Sequence, residues 1–402
     1  MSEGLIHTLT AEFFQDPHIV YRKLNEDGPV HRIEFPNGIR AWLVTGYDLA
    51  KQVLTDPTIS KDLYGPAGYA AQTKNNVALR LDPPVNDHLV YSDPPRHTRL
   101  RSIIMKAFAG KAIRDFTPTL QNIAETLLDT LSDETSVDLL RGYAYPFAAT
   151  VICELIGIAA SDRREFQGWL TTQVSTADVA EKHAAAEKFE SYVHRLIDDR
   201  PRDEGQDFLS ELIAPTDDGH RLDRRELVAM INALLLGSQE TIAGLIGNAV
   251  LTMLRTPGLR DELSATPDLV PAFLEETMRY EGSGNITTYR FITEPIRLGS
   301  QHIESGEIIL VSLASANRDR NHFSHADEFD LHRSDNRHLA FGYGIHRCAA
   351  ASLARREAQI AIAALLARYP RIALATAPEE LKWQSSLINR SLVSLPVRLH
   401  ES

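Results

Sequence analysis

Four groups of residues have types and spacings that could do chemistry. The first is Cys348, one of two cysteines, in the string LAFGYGIHRCAAASLARREAQIAIAALLARYP. A cysteine becomes a strong ligand as its thiolate, which cationic neighbours and helix N-termini favour. Gly342 and Gly344 let the backbone turn tightly, so that amide N–H groups can face the sulfur. His346 and Arg347 add donors, and Phe341 would shield one side from water. A buried free cysteine ahead of an ordinary helix fits the same string. The second group is Glu240 beside Thr241, an acid and a hydroxyl inside an apolar run, where buried polar groups need a reason. Thr241 bonding back to a carbonyl, with Glu240 paired elsewhere, would supply one. The third is His97 and Arg101, four residues apart and on one helix face, as an ordinary solvated basic face would also be. The fourth is Glu276 and Arg279, spaced as a simple helix ion pair.

These residues need scaffolding. After Cys348 an Ala- and Leu-rich stretch with helical spacing predicts a long helix whose N-terminus lies at the sulfur and favours negative charge there. DRRELVAMINALLLGSQETIAGLIGNAVLTMLRTP, which carries Glu240 and Thr241, is apolar nearly all round, predicting a helix buried across the centre of the molecule. Ile113, Phe116, Leu120, Ile123, Leu127 and Leu131 form one stripe of an amphipathic helix, and further helices are expected through 143–200. HRIEFPNGIRAWLVTGYD reads as a hairpin about Pro36-Asn37-Gly38. Residues 60–93 lose periodicity, which marks a functional loop more often than filler. PIRLGSQHIESGEIILV alternates like strands about Gly306, and the C-terminal segment reads as terminal strands. Nothing is rich enough in Pro, Gly or Ser to be a linker, so 1–402 is expected to be one domain.

Composition narrows the partners. With 402 residues, 43% hydrophobic and 24% charged, the chain can bury a sizeable core. A net charge of -12 argues against general nucleic-acid or anionic-membrane binding. The N-terminus lacks a signal-like pattern and no segment offers about 20 uninterrupted apolar residues, so a cytoplasmic protein without a membrane partner is expected. Two cysteines rule out a disulfide framework and a four-thiolate metal site, and Cys153 in TVICELIGI reads as a buried hydrophobe. His322, His325 and His332 are not expected to form a second metal site.

The cysteine string resembles the haem-binding loop of cytochromes P450, F-G-x-G-x-H-x-C-x-G, at Phe341, Gly342, Gly344, His346 and Cys348; Ala350 replaces the last glycine. DPPRHTRLR resembles the family's propionate-binding helix, with His97 and Arg101 in register, and Arg290 matches another propionate-contacting arginine. GSQET resembles the oxygen-side motif A-G-x-D/E-T, with Gly237 for Ala and Ser238 for Gly. E-x-x-R at Glu276 and Arg279 resembles the family's fold-bracing pair. The resemblance implies a mainly α fold with small β-sheets and haem b (iron protoporphyrin IX) held between the long central helix and the cysteine loop. It makes Cys348 the metal ligand, with His97, Arg101, Arg290, Phe341, Gly344 and His346 binding the cofactor and Glu240 and Thr241 relaying protons. It further implies insertion of one oxygen atom from O2 into a small organic substrate, and electrons drawn from NAD(P)H through a ferredoxin reductase and a ferredoxin docking near Lys106, Arg347, Arg355 and Arg356. Similarity to actinobacterial tailoring enzymes suggests a secondary-metabolite intermediate, polyketide-derived or tethered to a carrier protein. A peroxygenase using H2O2 and a non-enzymatic haem-thiolate sensor remain the alternatives. Residues 61–92, parts of 165–185, 282–288 and 387–388 are expected to line the substrate pocket.

Overall fold

A computed structural model describes residues 6–36, 38–75, 87–108, 110–132, 134–174, 178–199, 208–214 and 219–400. Its central element is the helix Arg224–Arg255, opened by a capping box in which Asp223 accepts from the Glu226 amide and Glu226 from the Asp223 amide. At 32 residues it is about 48 Å long. From Ile242 to Met253 every residue is buried, because the helices Tyr145–Ile156, Val270–Glu281 and Ala351–Arg368 pack around that half. Each large apolar side chain so buried contributes about 2 kcal/mol. Just before this half, Gly237 to Thr241 are only partly covered. The polar interruption therefore falls where the packing opens.

The larger sheet has six strands in the order Ile6–Thr8, Val30–Glu34, Arg40–Val44, Ile308–Val311, Arg290–Ile292, Ile59–Ser60. Its hairpin is the expected one, with Val30 opposite Val44 and Glu34 opposite Arg40. The edge pairing of Ile59–Ser60 with Arg290–Ile292 joins segments more than 200 residues apart and carries Arg290 to the site. A three-stranded sheet joins Ala373–Leu374, Pro396–Arg398 and Ser136–Asp138, and Ile296–Leu298 pairs with Gln301–Ile303. The fold is mainly α with small β-sheets, as expected.

The segment 60–93 departs from the expectation of an irregular loop. Pro66–Asn75 is helical and Leu89–Tyr91 forms one 3-10 turn. Gln72 explains part of this: its side-chain amide donates to Leu63 O and Gly68 O, both at 3.0 Å, tying the helix to its own entry. The 76–86 portion of the expected pocket segment lies outside the described residues.

Candidate active site

The Cys348 loop is set by its backbone. Gly342 N–H donates to Leu339 O at 2.8 Å, Arg347 N–H to Gly344 O at 3.1 Å and Cys348 N–H to Phe341 O at 2.8 Å. Both glycines have positive φ, 70° and 74°. At Gly344 a Cβ would lie 2.5 Å from Leu54 O, so no other residue fits. The helix Ala351–Arg368 then leads away, and the Ala350 amide donates to the sulfur. Ala350 has φ -90° and ψ 14°, a conformation open to any L-residue, so its replacement of glycine strains nothing. Cys348 is exposed and lines a cavity. Desolvation by the surrounding protein pushes its thiol up, and the Ala350 amide, Arg101, Arg347 and Arg355 pull it down without prevailing.

That cavity, about 380 Å³, joins most of the residues singled out in the sequence. Its walls include Cys348, Phe341, Gly237, Ser238 and Thr241, and Arg101, Arg290 and His346 also border it. Arg290 is buried, and its Nε has no acceptor among the described residues. Burial lowers this guanidinium to about 10. His97 Nε2 is likewise buried without a partner, and its ring centroid lies 4.2 Å from that of His346. Burial and neighbouring cations hold both imidazoles below the ordinary histidine range. Arg101 donates to Arg347 O, and Arg355 lies over the Phe341 ring, 4.6 Å from its centroid. Buried N–H donors without acceptors are rare. A cluster of them beside a thiol and an apolar wall fits iron protoporphyrin IX, which has a soft metal centre, an apolar ring and two carboxylates.

Glu240 and Thr241 are not brought together in the cavity. Thr241 lines it, but the hydroxyl donates back to Gly237 O at 2.7 Å, with Ser238 O at 3.1 Å. Ser238 Oγ similarly bonds Leu235 O at 3.3 Å, so the serine in place of glycine is satisfied by the helix. Glu240 lies exposed outside the lining, where its Oε2 accepts from the Tyr145 hydroxyl at 3.2 Å. Burial and this carboxylate push Tyr145 to about 12.

Glu276 and Arg279 are fully buried. Arg279 bonds both carboxylate oxygens, at 2.8 and 2.7 Å, as well as Asn317 O, Ala326 O and Glu328 O. Arg333 and Asn336 complete the acid's coordination, which the sequence reading missed. Two members of the expected docking face are already neutralised: Arg355 grips Glu275, at 2.5 and 2.9 Å, and Lys106 lies 3.6 Å from Glu211. Cys153 is buried and pushed to about 11, as befits an inert core thiol. His322 stacks on Tyr47, while His325 pairs with Glu328 and His332 with Glu262, so the three do not converge. Of the expected pocket segments, Lys61, Leu89 and Val90 of 61–92, Ser283, Gly284, Ile286, Thr287 and Thr288 of 282–288, and Ile388 of 387–388 line the cavity, whereas no described residue of 165–185 does. Glu357 lines it unforeseen.

The family pattern for Cytochrome P450 matches residues 165–392. With that match and the relatives below, the chain belongs to the cytochrome P450 family. It is 39% identical to Cytochrome P450 107B1 of Saccharopolyspora erythraea, over 99% of each chain. It is 34% identical to the polyketide biosynthesis cytochrome P450 PksS of Bacillus subtilis, over 99% of this chain and 100% of that one. The ligand-free structure of the P450 monooxygenase TamI superposes with a TM-score of 0.89 at 37% identity, covering 99% of this chain and 95% of that one. The protein is a P450 monooxygenase whose cofactor is haem b.

Proposed function

We propose that Cys348 would ligate the haem iron, that His97, Arg101, Arg290 and His346 would receive the two propionates, and that Phe341 and Gly344 would shape the loop that carries the ligand. The observation carrying this reading is that one cavity joins Cys348 to Arg290, whose buried Nε lacks an acceptor among the described residues, while His97, its Nε2 also unpartnered, lies against His346 at the cavity wall. When bound, haem b supplies the chemistry that activates O2 and inserts one of its oxygen atoms into the substrate.

The chain's own groups do the rest. The Ala350 amide and the Arg101 and Arg347 charges stabilise negative charge on Sγ. Thr241 Oγ1, its proton committed to Gly237 O, presents lone pairs to the cavity and holds a donor such as water there. Glu240, anchored by Tyr145, is the proton reservoir at the rim and reaches that water by rotation or through a second one. Leu89, Val90, Met230, Leu234, Ile286 and Ile388 give the cavity an apolar lining, which suits a small, largely apolar organic substrate. The relative named for polyketide biosynthesis supports a secondary-metabolite intermediate, free or carrier-tethered. Electrons come from NAD(P)H through a ferredoxin reductase and a ferredoxin, which meets Arg347 and Arg356 on the cysteine side. Residues 1–402 work as one unit in the cytoplasm.

The test is turnover of a polyketide-lactone panel with ferredoxin, its reductase and NADPH under labelled O2. One labelled atom per product molecule is expected. Product formed only when H2O2 replaces O2 and the reductase chain would overturn the reading in favour of a peroxygenase.

A further inference from the structure

Lys61 follows the edge strand Ile59–Ser60, whose register sets Ser60 opposite Phe291; one residue further, Lys61 falls opposite Arg290. It is 2% exposed and borders the same cavity as Cys348, Arg101, Arg290 and His346. Its Nζ donates to Thr288 Oγ1 and to Tyr289 O at 3.0 Å, and lies 5.4 Å from the centroid of the Tyr91 ring. All three partners are neutral, whereas a buried ammonium ordinarily has an acid beside it. Asp93 acts on it only from a distance: that carboxylate accepts from the Lys61 backbone N–H at 2.8 Å and from the Ser60 hydroxyl.

We propose that Lys61 is a haem-propionate ligand, whose ammonium completes with Arg101 and Arg290 a set of cations matched to the two carboxylates of the cofactor. The inference rests on reading the cavity as the haem site. Lys61, Arg101 and Arg290 all border the cavity, and the strand register sets Lys61 beside Arg290, so two propionates that pair with Arg101 and Arg290 would also lie within reach of the Lys61 ammonium. Burial and the adjacent Arg290 push the ammonium well below its usual range, and a carboxylate arriving beside it favours the charged form. Thr288 Oγ1 and Tyr289 O then hold the amine in place while its third proton is donated to the propionate.

The test compares haem release from wild type, K61M and K61R to excess apomyoglobin, with the CO complex of each reduced protein recorded alongside. K61M is expected to release haem about tenfold faster, as loss of one charge-assisted hydrogen bond implies. K61R should release it near the wild-type rate. Loading with haem dimethyl ester, which lacks the anionic carboxylates, should bring wild type and K61M to the same rate. Equal release of unmodified haem would overturn the proposal and leave Lys61 to a substrate carboxylate. A K61M effect that persists with the ester would overturn it in favour of a purely structural lysine. Should K61M not load, Lys61→Gln takes its place under the same criteria. Failure of the Cys348 reading would appear separately, as loss of the thiolate-type CO band in wild type.

Discussion

Two buried charge clusters lie in this molecule, and they differ in how completely they are satisfied. Around Glu276, the five N–H donors of Arg279 all have acceptors, and the acid also receives Arg333, Asn336 and the Asp330 amide. Around Arg290 the reverse holds: among the described residues its Nε and His97 Nε2 have no acceptor, and Lys61 Nζ has only neutral ones. A closed network fixes the chain path and has nothing left to offer a ligand. An open one at a cavity is costly unless a ligand closes it. The same residue type, arginine, is a brace in one cluster and, as proposed, a binding group in the other.

The largest effect should come from breaking the closed cluster. Arg279→Met leaves Glu276 buried without its main partner and is expected to lower unfolding free energy by about 3–5 kcal/mol, read from denaturant midpoints. Glu357 sharpens the contrast, because its carboxyl is buried at the cavity with no hydrogen-bond or ionic partner among the described residues. Burial raises it from about 4.5 to about 8. Below the lower value both folded and unfolded chains hold its proton. Between the two values only the folded chain does, so stability falls as pH rises through that window and levels off above about 8. From pH 6 to pH 8 the loss should be about 2 kcal/mol, and Glu357→Gln should remove that slope from a series of denaturation curves.

The open cluster should respond in the opposite sense to the closed one. Arg290→Met is expected to change unfolding free energy of the haem-free chain by no more than about 1 kcal/mol, since its buried Nε has no acceptor among the described residues to lose. Haem release should nevertheless accelerate about tenfold. Equal destabilisation by Arg279→Met and Arg290→Met would erase the distinction between the clusters. The smallest effect should be that of Thr241→Ala. The fraction of O2 converted to product should fall about threefold, of order 0.6 kcal/mol, because the cavity loses one acceptor while Ser238 remains. Paired measurements of O2 uptake and product would show it, and unchanged coupling would remove Thr241 from the proton path.

The closed cluster and the cysteine loop were largely legible in the sequence because their information is local. Gly342, Gly344 and Cys348 lie within seven positions, and Glu276 and Arg279 share one helical turn. The apolar run of Arg224–Arg255 was local in the same sense. What escaped notice depends on distant pairing. Lys61 looked like one more residue of an irregular pocket-lining stretch until the strand Ile59–Ser60 met Arg290–Ile292. Arg333 and Asn336 reach Glu276 from almost 60 positions away, with no periodicity to announce it. Glu357 looked like the polar side of an ordinary helix, although the packing around Ala351–Arg368 buries it. The direction of Glu240 could not be read from its motif, because Tyr145 on another helix decides it.

The central claim is that this cavity is a haem-thiolate site with Cys348 as the ligand. The most direct measurement is the CO difference spectrum of the reduced, haem-loaded protein in three forms: wild type, Cys153→Ser and Cys348→Ser. The red-shifted Soret band of a thiolate complex is expected in the first two and its loss in the third. Survival of that band in Cys348→Ser, or its loss in Cys153→Ser with the fold intact, would contradict that claim.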